Sequence, residues 1–252
     1  MSRLTAPILF IALLLAVWQI TVKALHVPAY LLPAPSDIVL ALSQNLGVLT
    51  ASALTTLQMA LWALIAASLT ACAIAVLLAL SPLAECSVRP VAVALQVTPI
   101  VAIAPLVNIW AGLDHPHRAV VGLAAVVAFF PIFSGALTGL KAADPDLERL
   151  FDLYGASRLQ RLARLRLPSA VPYLLEGHKV AAGLAVIGAV VAEFVSGSGG
   201  SQGLAWRLLE AANRLQTAKM FAALLILGLI GVAAHAVFQA IEGLVLKRWR
   251  GR

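Results

Sequence analysis

In residues 144–168, DPDLERLFDLYGASRLQRLARLRLP, acidic side chains (Asp144, Asp146, Glu148, Asp152) come first and basic ones (Arg158, Arg161, Arg164, Arg166) second. Charges ordered in this way suit recognition of another surface. Elsewhere, groups capable of chemistry are few. His115 and His117 form an H-x-H beside Asp114, a spacing that a metal accepts, but two imidazoles in a short polar loop are read as solvated. Glu193 and His235 fall in hydrophobic runs, where an ionisable group is costly and faces a cavity or a partner. Glu193 is expected to border a pathway or to brace a gate against an arginine such as Arg207, and His235 to be a hydrogen-bonded packing residue. Ser134, Ser196 and His235 form no nucleophile–base set, and no G-x-S-x-G occurs, which disfavours an intramembrane protease. There is no G-x-x-x-x-G-K-[ST]. In SGSGGSQG (196–203), Gln202 stands where a G-x-G-x-x-G needs its last glycine, and the segment follows a membrane run instead of a strand, so a tight turn is expected.

The elements that carry these residues are membrane helices. Of the 252 residues, 62% are hydrophobic and 12% charged, too apolar for a soluble domain. Uncharged runs that can cross a hydrocarbon core of roughly 30 Å lie at 4–22, 56–80, 91–113, 119–140 and 220–241. A sixth, 180–192, suffices only if extended to 195 or back to 178. The expected class is all-α: a polytopic membrane protein of about six spans, a single domain over 1–252 with its core at about 50–245. The first run has no small-x-small cleavage site and is followed by Lys23, so it is read as a retained anchor. With the N-terminus inside, 13 of the 18 Lys and Arg fall in inner segments. The positive-inside rule then places both termini and residues 144–168 in the cytoplasm, and the +7 net charge reports orientation rather than nucleic-acid binding. Cys72 lies within a span and Cys86 in the loop after it, which implies neither a disulfide framework nor a metal site.

Within 144–168, Asp144-Pro145 is a strong helix start. Leu147, Leu150, Phe151 and Tyr154 recur at i, i+3, i+4 and i+7 as one apolar stripe. Gly155 stands where a helix end wants positive φ. Ala156-Ser157 restarts the chain, Ser157 with Gln160 makes the capping box of a second helix, and Pro168 is expected to interrupt that helix. The stripe suits a helix-in-groove contact; the alternative is an amphipathic linker with its arginines near anionic lipid headgroups. In the third run, Gln96, Thr98 and Asn108 are candidates to line a pathway, or else to bond across helices. Residues 36–49 suggest a short interfacial helix capped by Ser36 or Asp37, or a loop, before the chain turns inward at about Thr55. Glu176, Gly177 and His178 are expected at the interface.

Gly155 followed by Leu165 and then by Leu167-Pro168 matches the spacing G-x9-I-x-LP, the second half of the cytoplasmic EAA motif. The chain resembles type I ABC importer permeases of the nitrate/sulfonate/taurine family, which also serves thiamine-pyrimidine precursors and riboflavin. The likeness runs through LLPAPSDIVLAL, TPIVAIAPLVNIW, FFPIFSGALTGLKAADPDL, LYGAS, LRLPSAVPYLLEG and IGAVVAEFVSG. The first half of the motif departs from pattern: Arg149 stands where its Glu belongs, Glu148 is one position early, and Leu150-Phe151 replace two alanines. The resemblance implies a coupling helix carried by Leu147, Glu148, Leu150, Phe151, Tyr154, Gly155, Ala156, Ser157, Leu167 and Pro168 and seated in a separate ATPase subunit. It further implies a homodimer, a periplasmic or lipid-anchored binding protein, ATP-Mg bound on the partner, and no cofactor on this chain. A stand-alone secondary transporter or channel would favour an inverted repeat, and none is evident.

Overall fold

The computed structural model describes residues 5–112, 115–196 and 202–250. Among them there are helices and no strands. In chain order the helices are α1 (Thr5–Ala24), α2 (Pro35–Gln44), α3 (Leu46–Leu80), α4 (Pro82–Val97), α5 (Ile100–Ala111), α6 (Pro116–Lys141), α7 (Pro145–Leu153) and α8 (Arg158–Arg161). A π turn (Leu162–Arg166) then leads into α9 (Leu167–Ser196), followed by α10 (Leu204–Asn213) and α11 (Thr217–Arg250). Among the described residues, five helical stretches are by themselves long and apolar enough to cross a membrane: Thr5–Ala24, Leu46–Leu80, Pro116–Lys141, Arg158–Ser196 and Thr217–Lys247.

Three boundaries differ from the sequence expectation. The run at 91–113 is not one continuous helix: α4 and α5 are parted at Thr98-Pro99. A residue before proline is pushed out of the α region and Pro99 has no N–H to continue the ladder, while the Thr98 hydroxyl turns back to the Ala94 carbonyl at 2.9 Å. The 12 residues of α5 rise only about 18 Å, so a crossing at this run takes α4 and α5 together. The second span starts at Leu46 instead of about Thr55. The short helix before it is present, but its N-cap is Ala34 rather than Ser36 or Asp37; the Asp37 carboxylate reaches back to the Ala34 N–H at 3.3 Å.

The chain forms two compact units. The first comprises Met1–Thr55 and Gln202–Leu229. Here α1 and α2 are joined by the Gln19 amide, which donates to Ser36 Oγ and accepts from the Ser36 N–H, both at 3.0 Å. Trp18 packs on Phe221 with centroids 5.8 Å apart. On α10, Arg207 donates to buried Ser52 at 3.0 Å and to Glu210 at 2.9 Å. The Arg207 hydrogen bond, outweighing partial burial, holds the Glu210 carboxyl below the usual range.

The second unit comprises Thr56–Ser201 and Ile230–Arg252, and its centre is the α6–α9 pair. The two backbones touch. A Cβ on Gly135 would stand 2.6 Å from the Tyr173 carbonyl oxygen, and one on Gly177 2.7 Å from that of Pro131. Gly139 and Gly188 are equally confined, against Ala170 and Ala124. Small residues at such a seam are what membrane helices need, since lipid gives them no hydrophobic reason to associate. Outside the seam the spans are apolar and exposed: α1 buries only Val22, and Ile8, Phe10, Leu13 and Ile20 are open. Such surface is tolerable in hydrocarbon and not in water.

Gly135→Ala is expected to destabilise the unit by about 1–3 kcal/mol, because the atom it meets is backbone and cannot step aside. Gly183→Ala, at a helical position where nothing lies within 4 Å of the new methyl, should be neutral or stabilising by up to about 1 kcal/mol. Thermal unfolding in detergent compares the two, and equal midpoints would contradict the seam.

Candidate functional site

The nine residues of α7 are too few to be helical unaided; both ends are capped. Asp144 accepts from the Asp146 N–H at 2.8 Å, Pro145 fills the first helical position, and Asp146 and Glu148 lie in the first turn, where the dipole favours anions. At the other end Ala156 N–H donates to the Phe151 carbonyl at 2.9 Å and Gly155 N–H to that of Asp152 at 3.0 Å, the paired bonds of a Schellman cap. Gly155 has φ +64°. The capping box then opens α8 as expected: Gln160 N–H donates to Ser157 Oγ at 3.2 Å, and Ser157 N–H to Gln160 Oε1 at 2.8 Å.

Pro168 does not interrupt the second helix. The chain passes through Leu167 and Pro168 into α9 without a break, because the π turn shifts the ladder just ahead of the proline: Leu167 N–H bonds to the Leu162 carbonyl, five residues back. Charges cross the loop. Glu148 Oε1 accepts from Arg166 Nε at 2.7 Å and Glu148 Oε2 lies 3.2 Å from an Arg161 terminal nitrogen. Arg161 also pairs with Asp152, and Arg149, at the motif's Glu position, pairs on the surface with Asp146 at 3.1 Å.

Facing outward are Leu147, Leu150 and Tyr154, with Phe151 half-buried beside them. A hollow of about 330 Å³ is lined by Leu150, Phe151, Tyr154, Ala156, Gln160 and Arg164. Two further apolar side chains of the loop are exposed outside the stripe: Leu153, at 85%, and Leu159. Leu153 is off the i, i+3, i+4, i+7 series, and its only sequence signal was an apolar residue in a charged loop.

The pathway candidates lie apart from this loop. The Gln96 side chain lies outside the described ones. Thr98 borders a hollow with Ile100, Val126, Phe130, Pro131 and Leu184. Asn108 accepts from Ser196 Oγ at 3.1 Å, and buried Glu193 accepts from the Thr56 hydroxyl at 3.0 Å. His235 is exposed rather than packed. His117 turns a ring nitrogen to Met59 Sδ at 3.4 Å, and Asp114 lies outside the described residues, as does most of the turn at 196–203. His178 is packed between helices. Its Nδ1 meets the Leu174 carbonyl at 2.8 Å, which requires Nδ1–H, so Nε2 accepts from Ser68 on α3 at 2.8 Å, while the ring stacks on Phe238 of α11. Lys179 pairs with Glu176 and, at 2.9 Å, with Glu242. The contacts to Ser68 and Glu242 were missed because those partners lie 110 and 63 residues away.

Residues 69–251 match the family model described as binding-protein-dependent transport system inner membrane component, and the chain belongs to this family. It is 32% identical to the formylaminopyrimidine transport permease protein ThiX of Halalkalibacterium halodurans, covering 97% of this chain and 95% of that one. It is 32% identical to the riboflavin transport system permease protein RibX of Chloroflexus aurantiacus (94% and 87%) and 29% identical to the putative aliphatic sulfonates transport permease protein SsuC of Bacillus subtilis (95% and 85%). The protein is therefore a multi-pass inner-membrane permease subunit of an ABC importer, a class that works with an ATPase and a substrate-binding protein. Stand-alone transport, channel activity and intramembrane proteolysis give way to this assignment.

A side chain at Gly155 would meet nothing within 4 Å, so its constraint within the chain is φ alone. Gly155→Asn should keep solute uptake by the reconstituted importer close to wild type. Gly155→Val, at a strain of ~1–2 kcal/mol, should lower it by up to about ten-fold. Equal uptake by both variants would contradict this.

Proposed function

We propose that this permease works as a homodimer with two ATPase subunits, that α7 seats in a groove of the ATPase, and that both termini and residues 144–168 face the cytoplasm. The observation that carries the reading is the exposed apolar face of α7, ending in a cap that only a left-handed residue can make. The concentration of 13 of 18 basic residues in inner segments supports the orientation. ATP-Mg binds and is hydrolysed on the partner, which closes and drives the paired permeases from inward-facing to outward-facing. A periplasmic or lipid-anchored binding protein delivers the solute, and lipid covers the remaining apolar faces. Phe151→Asp places a charge in the groove at a cost of at least about 2 kcal/mol and should abolish ATPase co-purification while the permease still inserts. Co-purification at wild-type yield would refute docking through α7.

For the solute, we infer a small uncharged nitrogen heterocycle of the formylaminopyrimidine kind. The relative of that specificity aligns along 97% of this chain. The hollow beside Thr98 has no charged side chain among its lining residues and includes Phe130. Thermal-shift screening of the cognate binding protein should find a pyrimidine ligand. Stabilisation by taurine, alkanesulfonates or nitrate alone would overturn this substrate class.

A further inference from the structure

The carboxylate of Glu148 points inward: its side chain is 21% exposed, against 85% for Asp146. Two different arginines hold its two oxygens, Arg166 and Arg161. In an unbroken α-helix, positions five apart point about 140° away from each other and could not converge on one carboxylate. The π turn lies between them, and its i→i+5 ladder brings Arg161 and Arg166 round to one side. Arg166 then uses its second arm: a terminal nitrogen donates to the Ala79 carbonyl at 3.3 Å. That carbonyl belongs to the last turn of α3, one of the four that a helix leaves without an internal donor and where a cation is favoured. Covalently, α7 is tied only to α6 before it and α8 after it. Ala79 is 87 residues from Arg166.

We propose that Glu148, Arg166 and the Ala79 carbonyl form a strut that carries displacement of α7 to the C-terminal end of α3, with Arg161 holding the carboxylate in place. These are positioning residues, and the inference rests on α7 being the ATPase-docking element. The strut makes use of the carboxylate that stands one position early: at 149 it would occupy the surface site where Arg149 pairs with Asp146, whereas at 148 it faces the arginines. The guanidinium suits the strut because its rigid planar fork fixes the directions of the donors that meet the carboxylate and the carbonyl, whereas a lysine ammonium is a point charge on a flexible stem.

The test uses the full importer in liposomes with Cys72 and Cys86 replaced by serine and a nitroxide placed either at Leu153, on α7, or at Leu83, just beyond α3; both side chains are exposed. Spectra are compared before and after trapping with ATP-Mg and vanadate. In the wild type both positions should respond. In Glu148→Gln, Arg166→Gln and Arg166→Lys the Leu153 response should remain while that at Leu83 falls by at least about five-fold. The Glu148→Gln/Arg166→Gln double variant should be no worse than either single, as expected of two ends of one contact. Retention of the Leu83 response to within about two-fold, loss at both positions, or multiplying effects in the double variant would each overturn the strut. So would failure of all variants to insert, which would make the contact purely structural. Silence at Leu153 in the wild type would instead remove the docking reading on which the strut depends.

Discussion

Four glycines let α6 and α9 approach until backbone meets backbone, and the loop that carries α7 and α8 hangs from that seam. In lipid, two apolar helices gain nothing by hiding from water, so association relies on close packing. A methyl group at Gly135 or Gly177 would collide with a carbonyl oxygen. The seam fixes the two points between which residues 142–166 are strung: α6 ends at Lys141, and α9 follows the π turn at Leu167. A nine-residue helix inherits its position from these neighbours.

Local chemistry then makes that short helix definite. The Asp144 cap, the acidic first turn and the Schellman bonds after Phe151 settle where α7 starts and stops. The glycine at 155 turns the chain sharply, and the capping box starts α8 two residues later. The loop therefore presents Leu150, Phe151 and Tyr154 from a held frame, and the ion pairs beneath keep that frame against the body of the unit. Exposure and bracing reside in adjacent residues: Leu147 outward, Glu148 inward.

Polar groups inside the spans follow a similar economy. Glu193 is hydrogen-bonded by Thr56, Asn108 by Ser196, and His178 joins Leu174 to Ser68. Each bond links distinct helices or closes a turn, and leaves Thr98, at the break between α4 and α5, as a polar side chain beside an apolar hollow. A helix broken at membrane depth is tolerable where it borders protein or a cavity, and the break at Pro99 is placed so.

The sequence by itself determined the helical class, the apolar spans, the caps of α7 and α8, the positive φ of Gly155 and the amphipathic stripe, since all of these depend on residues within a few positions of one another. It read the run at 91–113 as unbroken because hydropathy counts apolar side chains and is blind to the lost N–H at Pro99. It misjudged Pro168 because membrane helices carry prolines without ending, and here a π turn re-registers the ladder just ahead of the proline. Tertiary structure alone decided the partners of Glu193 and His178, which lie 137 and 110 residues away, and the meeting of Glu148, Arg166 and Ala79. No periodicity encodes such contacts: a helix repeats every 3.6 residues whatever stands beside it, and only packing selects which face meets which.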